Sequence, residues 1–367
     1  MNECSGSRND FTAAQAGAIR YVRGCAELMR DQALDELRDI FSRANVANDI
    51  DVAMIAQHVS RAPITLNFHP DRMMPDGRTV IDGLLREGTY RSQFVTGVTN
   101  GSRTAYPGGD RDRWEQQLFG GAYHASGVEG VDRPTYGALN VLHYADGASP
   151  RFGSCYLILK PHMTSRCTFT FGDSHAGPTR IGTMDVFEPL LAALLREVEQ
   201  NGNALGTSGM SVQGVLTRLA GCKEESFEKA GMRGRALDDY IEAQIHGKIL
   251  LVDDVAAIVA DPAFKGTAIG EQLMRLSATH NCELRWHPGF SLAVASVPDD
   301  FRGPVMPPFA RWIDTHFAKT PGLLDAADLG VAAASLHTTP ELWHEWGTPD
   351  ESFQLIKQLW HVIVRFG

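Results

Sequence analysis

The sequence has no CxxC pair; its six cysteines (Cys4, Cys25, Cys155, Cys167, Cys222, Cys282) are scattered through 367 residues. That spacing excludes a structural zinc site of the usual kind and fits a disulfide framework poorly at this length. Most of these thiols should behave as small buried hydrophobes. No apolar run approaches the roughly 18 residues of a membrane span, the longest being stretches such as 190–195. The opening MNECSGSRNDF lacks a basic region followed by a hydrophobic one, so no signal peptide is expected. The expected location is cytoplasmic, or outside the cell by a route that leaves no such signal, as for an injected effector. Asn100-Gly101-Ser102 fits a glycosylation sequon and is read as a turn. Positive charge is also short: 34 Lys and Arg against 44 Asp and Glu leave a net charge of −10. Such a surface repels phosphate backbones, so no nucleic-acid partner is expected. P-loop, GxGxxG, GxSxG and HExxH patterns are all missing. Their absence argues against phosphoryl transfer, a Rossmann dinucleotide site, a hydrolase elbow and a zincin.

What is present is ordinary for a soluble globular protein, with 43% hydrophobic and 21% charged residues. Residues 12 to about 60 read as helices. Ala14, Ala18, Tyr21, Cys25, Met29, Ala33 and Ile40 recur at helical spacing, with Arg20, Arg23, Glu27, Asp31 and Arg38 on the outer face. Strand-like runs follow at 64–68, 92–98, 154–159, 167–171 and 241–251, separated by Gly-rich turns and by helical stretches at 78–87 and 185–199. From about 266 helices return, at 269–279, 307–317, 324–336 and 352–364. The expected organisation is α+β: a helical N-terminal extension (1–60), an α/β core (61–265) and a helical C-terminal region packed on it (266–367).

Chemistry concentrates in a few segments. Residues 240–247 (YIEAQIHG) alternate strictly, Ile241, Ala243 and Ile245 against Glu242, Gln244 and His246. On a strand, one face is then apolar while the other presents a carboxylate, an amide and an imidazole in a row. Such a face is either the exposed side of an antiparallel sheet or a site. Asn67-Phe68-His69-Pro70-Asp71-Arg72 closes the first strand, where functional groups gather on a rigid scaffold. FGGAYH (119–124) and RPTYGALN (133–140) each set a Tyr beside small residues, allowing close approach of backbone to a flat ring. Gly172-Asp173-Ser174-His175 follows a strand and can supply ligands or a nucleophile. Trp360-His361, in the last apolar helix, is read as packing.

These segments, with PRFGSCY, TFTFGDS, DPAFKGT, FRGP and KQLWH, resemble those of an uncharacterised bacterial domain family of unknown function, from about residue 60 to the end. The order of elements is also distantly similar to the ADP-ribosyltransferase fold of the His-Tyr-Glu type. There a His closes the first strand and a helix follows, as with His69 and 79–88. A Gly-rich Tyr stretch and a second Tyr come next, as with Gly121, Tyr123 and Tyr136. A late strand then carries the catalytic Glu, followed by a strand segment and a short acidic helix, as with Glu242, 248–252 and 253–260.

The resemblance implies a split mixed β-sheet core, NAD as substrate, Glu242 as catalytic residue, and His69, Gly121, Tyr123 and Tyr136 as its NAD-binding set. Asp173, Ser174, Gln244 and His246 are the residues expected to place a protein or small-molecule acceptor. It implies no metal, and an effector or toxin among its roles. Two positions depart from the pattern: His69 is followed by Pro70 instead of Gly, and Tyr240 stands where arginine-modifying members carry Gln or Glu. Two other functions fit the same residues. One is a metal-dependent hydrolase with His69, Asp71, Asp173, His175, Glu242 and His246 as ligands. The other is a non-catalytic interaction module using the polar strand face.

Overall fold

The computed structural model describes residues 11–46, 51–97, 104–220 and 234–367. Cys4, Cys222 and the Asn100-Gly101-Ser102 turn lie outside the described residues. Among the described residues there are ten helices of eight or more residues: α1 (Ala13–Arg43), α2 (Val52–Val59), α3 (Val80–Glu87), α4 (Asp110–Leu118), α5 (Glu188–Asn201), α6 (Val212–Ala220), α7 (Ala268–His280), α8 (Met306–Phe317), α9 (Ala326–Thr338) and α10 (Pro349–Phe366). Thr12 and Gln15 start α1 with reciprocal capping bonds of 3.3 and 3.0 Å, which satisfy two otherwise orphaned N–H groups. The buried stripe of α1 runs through Ala14, Ala18, Val22, Ala26, Ala33, Leu37 and Ile40. Tyr21, expected inside, is exposed. The small alanines let α1 lie close against α5 and the sheet edge, and their row, a step of four, fixes the inner face one residue away from Tyr21.

The centre is one mixed sheet of eight strands: β1 (Ile64–Phe68), β2 (Thr135–Leu139), β3 (Cys155–Leu159), β4 (Cys167–Phe171), β5 (Ile181–Thr183), β6 (Ile241–Ile245), β7 (Val255–Ala260) and β8 (Glu283–Trp286). Their order across the sheet is β8-β7-β3-β1-β2-β6-β4-β5. Only the β7–β8 pair is parallel. Every residue of β1, β3 and β6 is buried. Both sheet faces are therefore covered around its middle; β3 reads as an apolar run accordingly, whereas β1 and β6 bury Thr65, Asn67, Glu242 and Gln244 among their apolar residues. One apolar cluster extends from Ala33 in α1 through the sheet to Val364 in α10.

Three expectations need correction. The strand expected over 92–98 does not form in its described part, 92–97: Gln93–Thr96 form one helical turn, closed by Gly97 at φ 62°, a left-handed position that glycine adopts without strain; Val98 lies outside the described residues. The run 241–251 breaks at Gly247 (φ 82°), after which Ile249–Leu250 pair with Thr89–Tyr90 outside the main sheet. The acidic helix expected over 253–260 is also absent. Leu251–Asp254 make a single turn, and Val255–Ala260 become β7, where Val255, Ile258 and Val259 suit the pleat.

The pairing of β1 with β2 is short. Ile64 faces Leu139 and Thr65 faces Ala138, and no further pair forms between the two strands. Beyond that point β1 continues with β3 alone and β2 with β6 alone. Glycine is required where they part, since a Cβ at Gly137 would come within 2.6 Å of the Thr65 carbonyl oxygen.

Candidate functional site

A cavity of about 720 Å³ is lined by the end of β1 (Asn67, Phe68, His69) and the start of β2 (Thr135, Tyr136, Gly137), the two ends that part. Residues of α3, the α4 face carrying Arg111 and Trp114, and the loops at 149–152 and 173–175 complete its wall. The volume lies within the range of small-molecule sites.

Glu242 reaches this cavity from β6, which sits between β2 and β4 with Glu242 opposite Ala138 and Thr170. Its carboxylate accepts bonds from Gln244 Nε2 at 2.9 Å and from the Ser174 backbone N–H at 3.4 Å. Burial, then the nearby negative charge of Asp173, pushes its pKa up to about 7. Burial works against the charge of Asp173 as well. There, however, hydrogen bonds from His175 and from Tyr240 Oη (2.8 Å) hold the carboxyl below its usual range. The two acids thus divide into one charged group and one whose charge is costly, a pairing typical of reactive sites.

Tyr136 stands beside them. Its hydroxyl donates to Glu115 at 2.7 Å, and Glu115 and Asp112 on α4 both bind Arg133, at 2.8 and 2.5 Å. Burial raises the pKa of Glu115 despite these partners. The guanidinium of Arg111 lies 4.4 Å from the centre of the Tyr136 ring and 5.0 Å from that of Trp114. A flat cation therefore already rests on Tyr136 within electrostatic reach of Glu242. His69 meets the Trp360 ring edge-on at 5.0 Å. Burial, followed by the charges of Arg72, His361 and Lys357, holds its pKa well below the usual value, so the imidazole is neutral.

The cavity thus gathers His69, Tyr136, Asp173 and Glu242 from the sequence-derived set. The other residues of that set lie elsewhere. Tyr123 is buried and stacks on His246, with ring centres 6.1 Å apart and a 2.6 Å bond from hydroxyl to Nδ1. His246, held neutral by burial with a pKa of about 3, also bonds Thr168 at 3.0 Å. Gln244 is buried between Thr168, Thr170 and Glu242. Gly121 precedes the short turn Ala122–His124, and Ser174 meets Glu242 through its backbone N–H and its side chain. Asp71 packs where a Cβ at Gly330 of α9 would collide with it. Among the described residues no three His, Cys, Asp or Glu side chains come together as a metal-binding group. Arg111, Trp114 and Arg151 also line the cavity and carry no periodic signal, whereas Tyr240, which lines it too, has the parity of Glu242 in the alternating segment. Gly109 followed by Asp110 and Asp112 is the one cue to the α4 start that sequence reading could have used.

Residues 63–366 match the family model described as "Protein of unknown function (DUF3626)", and the chain belongs to that family. No curated protein matches the chain.

Proposed function

We propose that this DUF3626 chain cleaves NAD at the nicotinamide–ribose bond and transfers the ADP-ribose to a protein or small-molecule acceptor. One observation carries the reading: His69, Tyr136 and Glu242, more than 170 positions apart from first to last, arrive from neighbouring strands β1, β2 and β6 to line one cavity. The parting of β1 from β2 supports it too, since the resemblance implies a split sheet.

In the reaction the bond between the anomeric carbon and the nicotinamide nitrogen breaks, and nicotinamide leaves neutral with the electron pair. Positive charge develops on the ribose. A preorganised carboxylate in a water-poor site stabilises such charge strongly, and Glu242, held by Gln244 and Ser174, is that group. The face of Tyr136 takes the nicotinamide ring, displacing Arg111. The acceptor's lone pair then bonds the anomeric carbon, and its proton passes to the His175–Asp173 pair, which opens toward solvent. Gln244 acts by fixing the Glu242 carboxylate, not by touching the acceptor.

The test is nicotinamide release by the purified chain with NAD and cell lysate as acceptor, beside Glu242→Gln. We expect release by wild type and a loss of at least about a hundredfold in the variant. No release by wild type would remove the reading.

A further inference from the structure

The molecule is acidic overall, yet cations crowd one wall of the cavity. Arg72 and Arg151 line it together with His69. Helix α10 closes on that wall: Trp360 meets His69, and its indole N–H donates to the Pro150 carbonyl at 3.0 Å. Lys357 and His361 follow on α10, four residues apart and hence on one helix face. Arg302 and Arg365 lie over the Phe301 ring, at 5.1 and 4.9 Å.

These groups depress one another. His361 is held to about 3 by burial and then by Arg151, Arg302 and Lys357. Arg302 is lowered by burial, Arg151 and Arg365. Of the carboxylates close by, Asp238 pairs with Arg151, and Asp71 faces Arg72. Those two acids do not balance the wall.

Donors there are also left over. Arg72 is 9% exposed, and its Nη1 reaches no acceptor; nor do Arg151 Nε or Arg302 Nε, and the His361 ring nitrogen Nδ1 has no hydrogen-bond partner. Arg302 keeps φ 62° although it is not glycine. A strained backbone of this kind tends to persist at functional sites. Buried like charges with unmet donors are expensive unless something outside the chain satisfies them.

We propose that the wall formed by His69, Arg72 and Arg151, backed by Arg302 and α10, binds the phosphoryl group of a ligand that enters the cavity. Several guanidinium forks from different elements suit a group with three or more oxygens and more than one negative charge. Such a group comes either from a bridging diphosphate or from a terminal phosphate monoester. The assignment stands without the glycosidic chemistry proposed above.

Calorimetric titration of the full-length chain with inorganic pyrophosphate tests it, comparing wild type, Arg72→Gln and Arg302→Gln. Wild type should bind, more weakly as salt is raised, and each substitution should weaken binding about tenfold or more. Parallel titrations with NAD and NADP identify the source: tighter NADP binding means the monoester, equal binding the bridging diphosphate. Arg302 is partly exposed, so its variant carries the test if Arg72→Gln fails to fold. Wild type that ignores pyrophosphate, or folded variants that bind it unchanged, would overturn the site. Nicotinamide release without pyrophosphate binding removes this site and leaves the transferase; pyrophosphate binding without release does the reverse.

Discussion

Glu242 lies on a strand whose residues are all buried, and its folded-state pKa of about 7 stands above the ordinary 4.5. If ionised Glu242 carries turnover, nicotinamide release rises with pH through about 7 on the acidic limb of the rate profile. The same shift sets a stability trend of opposite sign. A raised carboxyl pKa favours the protonated folded state, so the benefit is complete below about 4.5 and lost as pH climbs through about 7. By pH 8 that loss is on the order of 3 kcal/mol. Thermal melts should therefore show wild type losing stability relative to Glu242→Gln between pH 5 and 8, a difference that cancels other titrating groups. At Tyr136 the expectation separates ring from hydroxyl. Tyr136→Phe keeps the stacking face and should change KM for NAD little, whereas Tyr136→Ala should raise it by about tenfold, at roughly 1–3 kcal/mol for an aromatic stack. Steady-state kinetics checks both. Alternation along 240–247 was enough to read Glu242 as a residue on a polar face, and Gln244 and His246 with it. It could not show where along that face the cover ends. Phe119 and Tyr123 pack over His246, and only Glu242 is left open to the cavity.

At the scale of elements, α4 and β2 are tied by a buried charge network. Arg133, just before β2, binds Asp112 and Glu115 of α4, and Glu115 in turn accepts from Tyr136. Removing one partner leaves a buried carboxylate unpaired, a loss of about 3–5 kcal/mol. Arg133→Met should lower the urea midpoint accordingly, and Arg133→Met with Glu115→Gln should recover part of it. Most of the long helices were legible, because α1, α5 and α7 to α10 repeat apolar residues at helical spacing. The α4 helix was not: its exposed residues outnumber its buried ones, and the three buried positions, Asp112, Glu115 and Leu118, include two acids. Apolar periodicity does not register a face held by ion pairs. Strand β2 escaped for a related reason, since Gly137 is required by close backbone approach and neither it nor Ala138 carries β-propensity.

Over the whole molecule, the apolar cluster passes from α1 through the sheet into α10. The helical ends share a core with the centre. Leu359, Trp360, Val362 and Ile363 are all buried, so deleting 349–366 uncovers core and leaves His69 without its ring neighbour. A chain ending at Thr348 should lose its cooperative melt and bind the dye ANS, as measured by calorimetry and fluorescence. The sheet order has one more effect, on the growing chain. Strand β6 is inserted between β2 and β4, and those two strands are made long before it. Until Ile245 has left the ribosome they lie with facing edges unpaired, a state prone to wrong pairing. The cavity has no Glu242 either. If the folded chain consumes NAD, nascent forms lacking an emerged β6 cannot, and the cell making it is spared until synthesis has moved well past Glu242.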